Sequence, residues 1–297
     1  MKAHKYLWLH FIILLWGFTP VLGKLISLNA YDLVWYRLIF SVISLYIFIR
    51  YKGISLRVSL KDFIEIFVIG LCVGAHWFFF YHAIKVSNVS VSLAGFSTIT
   101  LFASIMQPII LGKKFYRTDL IYGIVIAIGL IIILNFEKIY FIGIIYGILA
   151  ALTAAFFGIY NGKLILKNNA SAITFYEFIG AIVFMFFLKT FTETETYFVP
   201  INLADLLWLL VLSIACTTLA FTLSIEILKQ FTPLTVIITN NLEPVYGIVF
   251  SVIIFGESEY MTPGFYIGVT IILISVFTYP FISQKLKNKS WKKEVGG

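Results

Sequence analysis

The chain has 297 residues, of which 61% are hydrophobic and 12% charged, with a net charge of +8; soluble domains run at roughly 45–50% and about 25%. Such a composition excludes a soluble globular protein and leaves no room for a soluble domain of useful size. The basic excess sits in short breaks between apolar runs, which fits membrane topology and argues against nucleic-acid binding.

A helix that crosses a bilayer needs about 20 mostly apolar residues. In chain order, apolar runs bounded by charges or turn residues predict ten helices, at about 6–26, 31–49, 63–84, 89–111, 119–136, 140–161, 171–189, 205–228, 233–255 and 263–282. Runs this long and uniform do not suit barrel strands, so an all-α membrane protein is expected. The basic start and apolar middle of residues 1–23 mimic a signal peptide, but the apolar run continues past a leader core and is read as the first helix. With the N-terminus inside, the inward connections and ends hold seventeen Lys and Arg against four outward ones. Both termini, including the basic tail 285–297, are therefore expected in the cytoplasm. The expected location is the cell membrane, or the inner membrane if the source is Gram-negative. Cys72 and Cys216 both lie in apolar runs and give little support to a disulfide or a metal site.

Internal duplication is visible. "GKLI" occurs at Gly23 and again at Gly162, an offset of 139; "WYRLI" from Trp35 parallels "FYEFI" from Phe175 at 140. Cys72 parallels Cys216, "HAIK" (His82 to Lys85) parallels "EILK" (Glu226 to Lys229), and Gly112 parallels Gly256, all at 144. Ordered offsets that drift slowly indicate two homologous halves, 1–138 and 139–284, each of five spans. An odd number of spans makes the second half enter from the opposite side, the inverted-topology repeat of secondary transporters.

Ten helices as five plus five, "LLWG" with a following Lys in the first helix, an Arg in the second, and above all "LEPVYGIVFSVIIFGE" (Leu242 to Glu257) make the chain resemble EamA-type members of the drug/metabolite transporter superfamily. The resemblance implies a carrier of small metabolites with a central cavity between its halves. In the first half, Thr100 and Lys113 stand where that pattern often has Pro and Glu.

Polar groups inside the spans are costly and hence candidates for function. Asn240, Asn241, Glu243 and Pro244 lie together in the ninth span, where a distorted, polar stretch is tolerated if it lines a cavity. Trp16, His76, Phe80, Phe157 and Tyr246 are expected to line the same cavity. Arg37 and Glu177 occupy repeat-equivalent positions of opposite sign and are expected to form, with Glu243, an intramembrane charge network. Arg37 could instead grip a substrate carboxylate or phosphate. Pro20 and Pro244 are expected to distort their helices. Gly143 and Gly147, four apart, suit close helix contact.

No phosphate-cradling loop, zinc-protease motif or clustered Cys and His is present, so neither an enzyme nor a cofactor is expected. The sequence reads as a secondary or facilitative transporter of small metabolites, amino-acid-like or related, working by alternating access and suited to export. Its partners would be a small-molecule substrate, membrane lipid and, if Glu243 exchanges a proton, protons as coupling ion. The alternative is a flippase for lipid or lipid-linked substrates, or a membrane-embedded lipid enzyme; Arg37, Glu177 and Glu243 look too staggered in depth for the enzyme.

Overall fold

In lipid every backbone polar group must be satisfied within its own element, and the chain obeys this by folding into helices. The computed structural model describes residues 2–112, 117–191, 198–275 and 277–279, and there is no strand among them. The helices are α1 (Lys2–Leu25), α2 (Ala30–Lys52), α3 (Leu60–Val86), α4 (Val89–Phe96), α5 (Ile99–Leu111), α6 (Arg117–Phe136), α7 (Phe141–Leu164), α8 (Ala170–Phe191), α9 (Leu203–Ser213), α10 (Ala220–Ile227), α11 (Pro233–Asn240) and α12 (Leu242–Phe255). A final apolar helix, α13, covers Pro263–Tyr279. Eight helical stretches are long and apolar enough to cross a membrane, and two shorter apolar ones, Ile121–Phe136 and Pro263–Tyr279, accompany them.

Three stretches that the sequence predicts as single helices are broken or distorted. Between α4 and α5, the hydroxyls of Ser97 and Thr98 donate to the carbonyls of Leu93 (2.9 Å) and Gly95 (2.8 Å). Side chains that bond to the preceding turn compete with the regular ladder, and here the helix restarts at Ile99. Between α11 and α12 the interruption falls at Asn241, whose amide donates to the carbonyls of Ile237 (3.2 Å) and Ile238 (3.3 Å). Pro244 then sits in the first turn of α12, where a missing N–H costs little. The third distortion is a π-helical turn, Ile214–Leu219, joining α9 to α10.

Pro20 lies inside α1 and offers no N–H to the carbonyl of Trp16, one turn back. The hydroxyl of Thr19 supplies the missing donor at 2.8 Å.

At the centre of the bundle, α3 packs between α7 and α8. The α3–α8 crossing depends on glycine: a methyl group at Gly70 would stand 2.7 Å from Cα of Glu177, and one at Gly180 3.0 Å from Cα of Gly70. The main apolar core spreads from this crossing through α2, α7 and α9. Gly143 lies where α7 meets the C-terminal end of α3 at Ser87, and Gly147 where it meets α4, within 3.1 Å of Cα of Gly95 for an added methyl. Around this core α1 packs on α12, α4 and α5 on α7, and α2 on α8 and α9.

Candidate functional site

A cavity opens between α1, α2, α3, α7, α10 and α11, with about 810 Å³ of empty space including its mouth. Trp16, Trp77, Phe80, Phe96, Phe157 and Phe221 give its wall a large aromatic share. Into it project Arg37 from α2, His76 from α3, Asn161 from α7, and Asn240 and Glu243 from the broken α11–α12 stretch. At one end a surface opening bordered by Gly162, Lys163, Lys229 and Thr232 shares Leu228 and Pro233 with the cavity wall.

Arg37 is 3% exposed and held on three sides. Its Nε–H donates to the Thr217 hydroxyl at 2.7 Å and Nη1 to the Tyr81 hydroxyl at 3.1 Å, while the guanidinium carbon lies 4.0 Å above the Trp77 ring. Thr217 belongs to the π-helical turn and itself donates to Leu212 O, five residues back, at 2.7 Å. The turn, a feature frequent at functional sites, therefore aims the hydroxyl that orients Arg37. Of the five guanidinium N–H groups these bonds use two; the other three have no acceptor among the described residues.

Glu243 is buried in the bundle, and no hydrogen bond or ion pair to it is recorded among the described residues. Arg37 and Glu243 line the same cavity, with no hydrogen bond or ion pair between them. His76 Nδ1 lies 2.8 Å from the carbonyl of Ala150. A carbonyl can only accept, so Nδ1 carries the hydrogen and Nε2 is left as an acceptor. The ring is wedged among Phe80, Phe96 and Phe157, with centroids 5.4–6.1 Å away.

Of the eight residues expected from sequence to line the cavity, Trp16, His76, Phe80, Phe157, Asn240 and Glu243 do so. Asn241 is fully buried and donates to the Thr100 hydroxyl, tying the break in α11–α12 to α5. Tyr246 packs against Gly17 of α1 and stacks near Phe250. The expected three-membered charge network is not assembled. Glu177 is fully buried behind the wall, where its carboxylate accepts from Asn161 Nδ2 at 3.4 Å and makes no recorded bond to Arg37 or Glu243. Glu177 sits at the α3–α8 glycine crossing, where its backbone meets Gly70, and its carboxylate is taken up by Asn161. Sequence reasoning missed Asn161, Thr217 and Tyr81, although Asn161 and Thr217 are polar residues inside apolar runs. Among the described residues no group of three or more His, Cys, Asp or Glu is placed to hold a metal.

Residues 4–135 and 141–279 each match the model of the EamA-like transporter family. The chain belongs to that family. No curated protein matches this EamA-like transporter. A solved crystal structure superposes on it with a TM-score of 0.68, covering 96% of this chain and 99% of its own at 14% identity. That likeness shows a shared fold and says nothing of cargo. The EamA-like transporter is a multi-pass membrane protein, and its family points to small solutes as cargo.

Proposed function

We propose that this protein carries small metabolites, amino-acid-like or related compounds, across the cell membrane by alternating access, in the direction of export. It crosses ten times, as five-helix units 1–138 and 139–284 of opposite orientation, with the tail 285–297 and both termini in the cytoplasm. The observation that carries the cargo assignment is the pair Arg37 and Glu243: opposite charges on one aromatic cavity wall, neither bonded to the other. A guanidinium with spare N–H groups and a carboxyl group in one cavity suit a solute with an anionic and a cationic group on a compact apolar body.

Paired contacts support the inverted repeat. The Tyr36 hydroxyl donates to Val199 O at 2.5 Å and the Tyr176 hydroxyl to Leu56 O at 3.0 Å, residues that correspond at offsets of 140 and 143. Caps recur too: Asn88 and Thr232, 144 apart, each accept from the N–H three residues on. Packing partners repeat in the same way, α3 on α8 answering to α9 on α2, and α1 on α12 to α7 on α4 and α5.

Reconstituted in vesicles and screened for counterflow, the protein is expected to exchange zwitterions and to reject their N-acetyl and methyl-ester forms. Arg37→Gln should cut exchange by about tenfold or more, the loss of roughly one charge-assisted contact. Failure to exchange any member of a pooled metabolite set refutes the proposal. Proton coupling, the finer part, is refuted by Glu243→Gln leaving exchange across a pH gradient unchanged.

A further inference from the structure

At the end of the bundle opposite the cavity mouth, one carboxylate ties three elements together. Glu259 ends the 3₁₀ turn Gly256–Glu259 that follows α12 and is fully buried. Its Oε1 accepts from the Val89 N–H at 3.1 Å and the Lys24 ammonium at 2.8 Å; its Oε2 accepts from the Ser90 N–H and hydroxyl, both at 2.9 Å. Val89 and Ser90 open α4, so the anion meets the positive end of a helix as well as a cation at the end of α1. Nearby, Asp205 in the first turn of α9 accepts from the Ser27 N–H (2.8 Å) and hydroxyl (2.5 Å) in the α1–α2 connection.

The repeat provides an internal control at the other end. Val89 and Ser90 correspond to Pro233 and Leu234, and Lys24 to Lys163. Pro233 has no N–H to offer. The N–H of Leu234 goes to the neutral side chain of Gln107, at 2.9 Å. Lys163 lies 5.8 Å from the Tyr160 ring and has no carboxylate partner among the described residues. Asp205 corresponds to Asp62 and Ser27 to Leu166, and Asp62 makes no recorded side-chain bond of its own. Two buried carboxylates thus close one end; by sequence Glu259 corresponds to Phe115, and among the described residues at the mouth end Leu234 meets a neutral amide and Asp62 makes no side-chain bond.

We propose that Glu259 is the positioning residue that decides which end of the carrier stands open: a latch on α1, α4 and α12 whose place in the repeat is taken by Phe115, a side chain that cannot accept a hydrogen bond. The proposal rests on the alternating-access reading above. To open the latched end, α1 and α4 must leave Glu259, and its four charge-assisted hydrogen bonds pass to water. Such bonds are about twice as strong as neutral ones. Phe115, the corresponding residue, has no acceptor to offer when the mouth closes, and the Gln107 bond is already made with the mouth open. The protein therefore rests with the mouth open, and cargo must supply the difference before the latched end parts.

The test uses the full chain in proteoliposomes, with Cys72 and Cys216 replaced by Ala and a reporter at Ser224→Cys, on the cavity wall. A membrane-impermeant maleimide is applied from each face in turn. The parent should react from the mouth face and only slowly from the latched face. Glu259→Gln should raise latched-face labelling by about tenfold or more and lower mouth-face labelling. Lys24→Gln should raise it by roughly threefold, because this ion pair is partly exposed. Gln107→Ala should leave latched-face labelling unchanged.

Unchanged labelling in a Glu259→Gln protein that still elutes as a folded species overturns the latch. If Glu259→Gln does not fold, the double variant Lys24→Gln with Ser90→Ala takes its place, and unchanged labelling there overturns it equally. Counterflow on the same vesicles separates the two readings. Persistent exchange with unchanged labelling removes the latch alone, whereas one-sided labelling with no exchange of any solute removes the carrier reading as well.

Discussion

The two ends of this bundle are made from corresponding helices, yet different chemistry holds them. Some contacts are matched: Tyr36 reaches Val199 at one end as Tyr176 reaches Leu56 at the other. Others have no match: Glu259 and Asp205 are bonded where the repeat has Phe115 and Asp62, and Asp62 makes no side-chain bond among the described residues. The matched contacts fix how each half folds, a task that both halves share. The unmatched ones give the two ends different strengths, which under the proposed alternating access would make the two conformations unequal in energy.

Five substitutions break or sharpen this comparison, in falling order of effect. Gly180→Leu strikes the crossing that both ends depend on, and overpacking there should cost on the order of 3 kcal/mol or more. Size-exclusion of the solubilised protein should show aggregate in place of a monodisperse peak. Asp205→Ala leaves the Ser27 N–H and hydroxyl without their acceptor and should cost about 2 kcal/mol, seen as a lower thermal unfolding midpoint. Tyr36→Phe and Tyr176→Phe should each cost about 1 kcal/mol. Losses differing severalfold between these two would break the idea that the tyrosines are matched. Asp62→Ala should leave the midpoint where it was; a drop as large as that of Asp205→Ala would abolish the contrast between the ends.

Much of the architecture was legible because hydrocarbon imposes one rule on every segment: apolar length gave the helices, and repeated motifs gave the two halves that each match the family. The site was legible in part. Arg37, Glu243 and Asn240 stand out because a polar group inside an apolar run is costly enough to be conspicuous. Asn161, close to Lys163 at a helix end, reads as a terminus, and only the bundle turns it toward the cavity. Glu177 is as conspicuous as Arg37, but that it would sit at the α3–α8 crossing with Asn161 as its partner depends on which helix crosses which. The breaks at Ser97–Thr98 and Asn241 come from side chains that bond to their own helix, a competition that hydropathy does not register.

The π-helical turn between α9 and α10 sets a rotational phase. An α-helix turns by about 100° per residue, so one residue more or fewer within Ile214–Leu219 would swing all that follows by that angle. Phe221, Ser224 and Ile225 would leave the cavity wall and their neighbours would enter it. Swapping the lining of this chamber therefore requires no change to any residue that lines it: a one-codon deletion several positions upstream would install a new face at a stroke. A library of such frame-preserving deletions is a short route to altered selectivity.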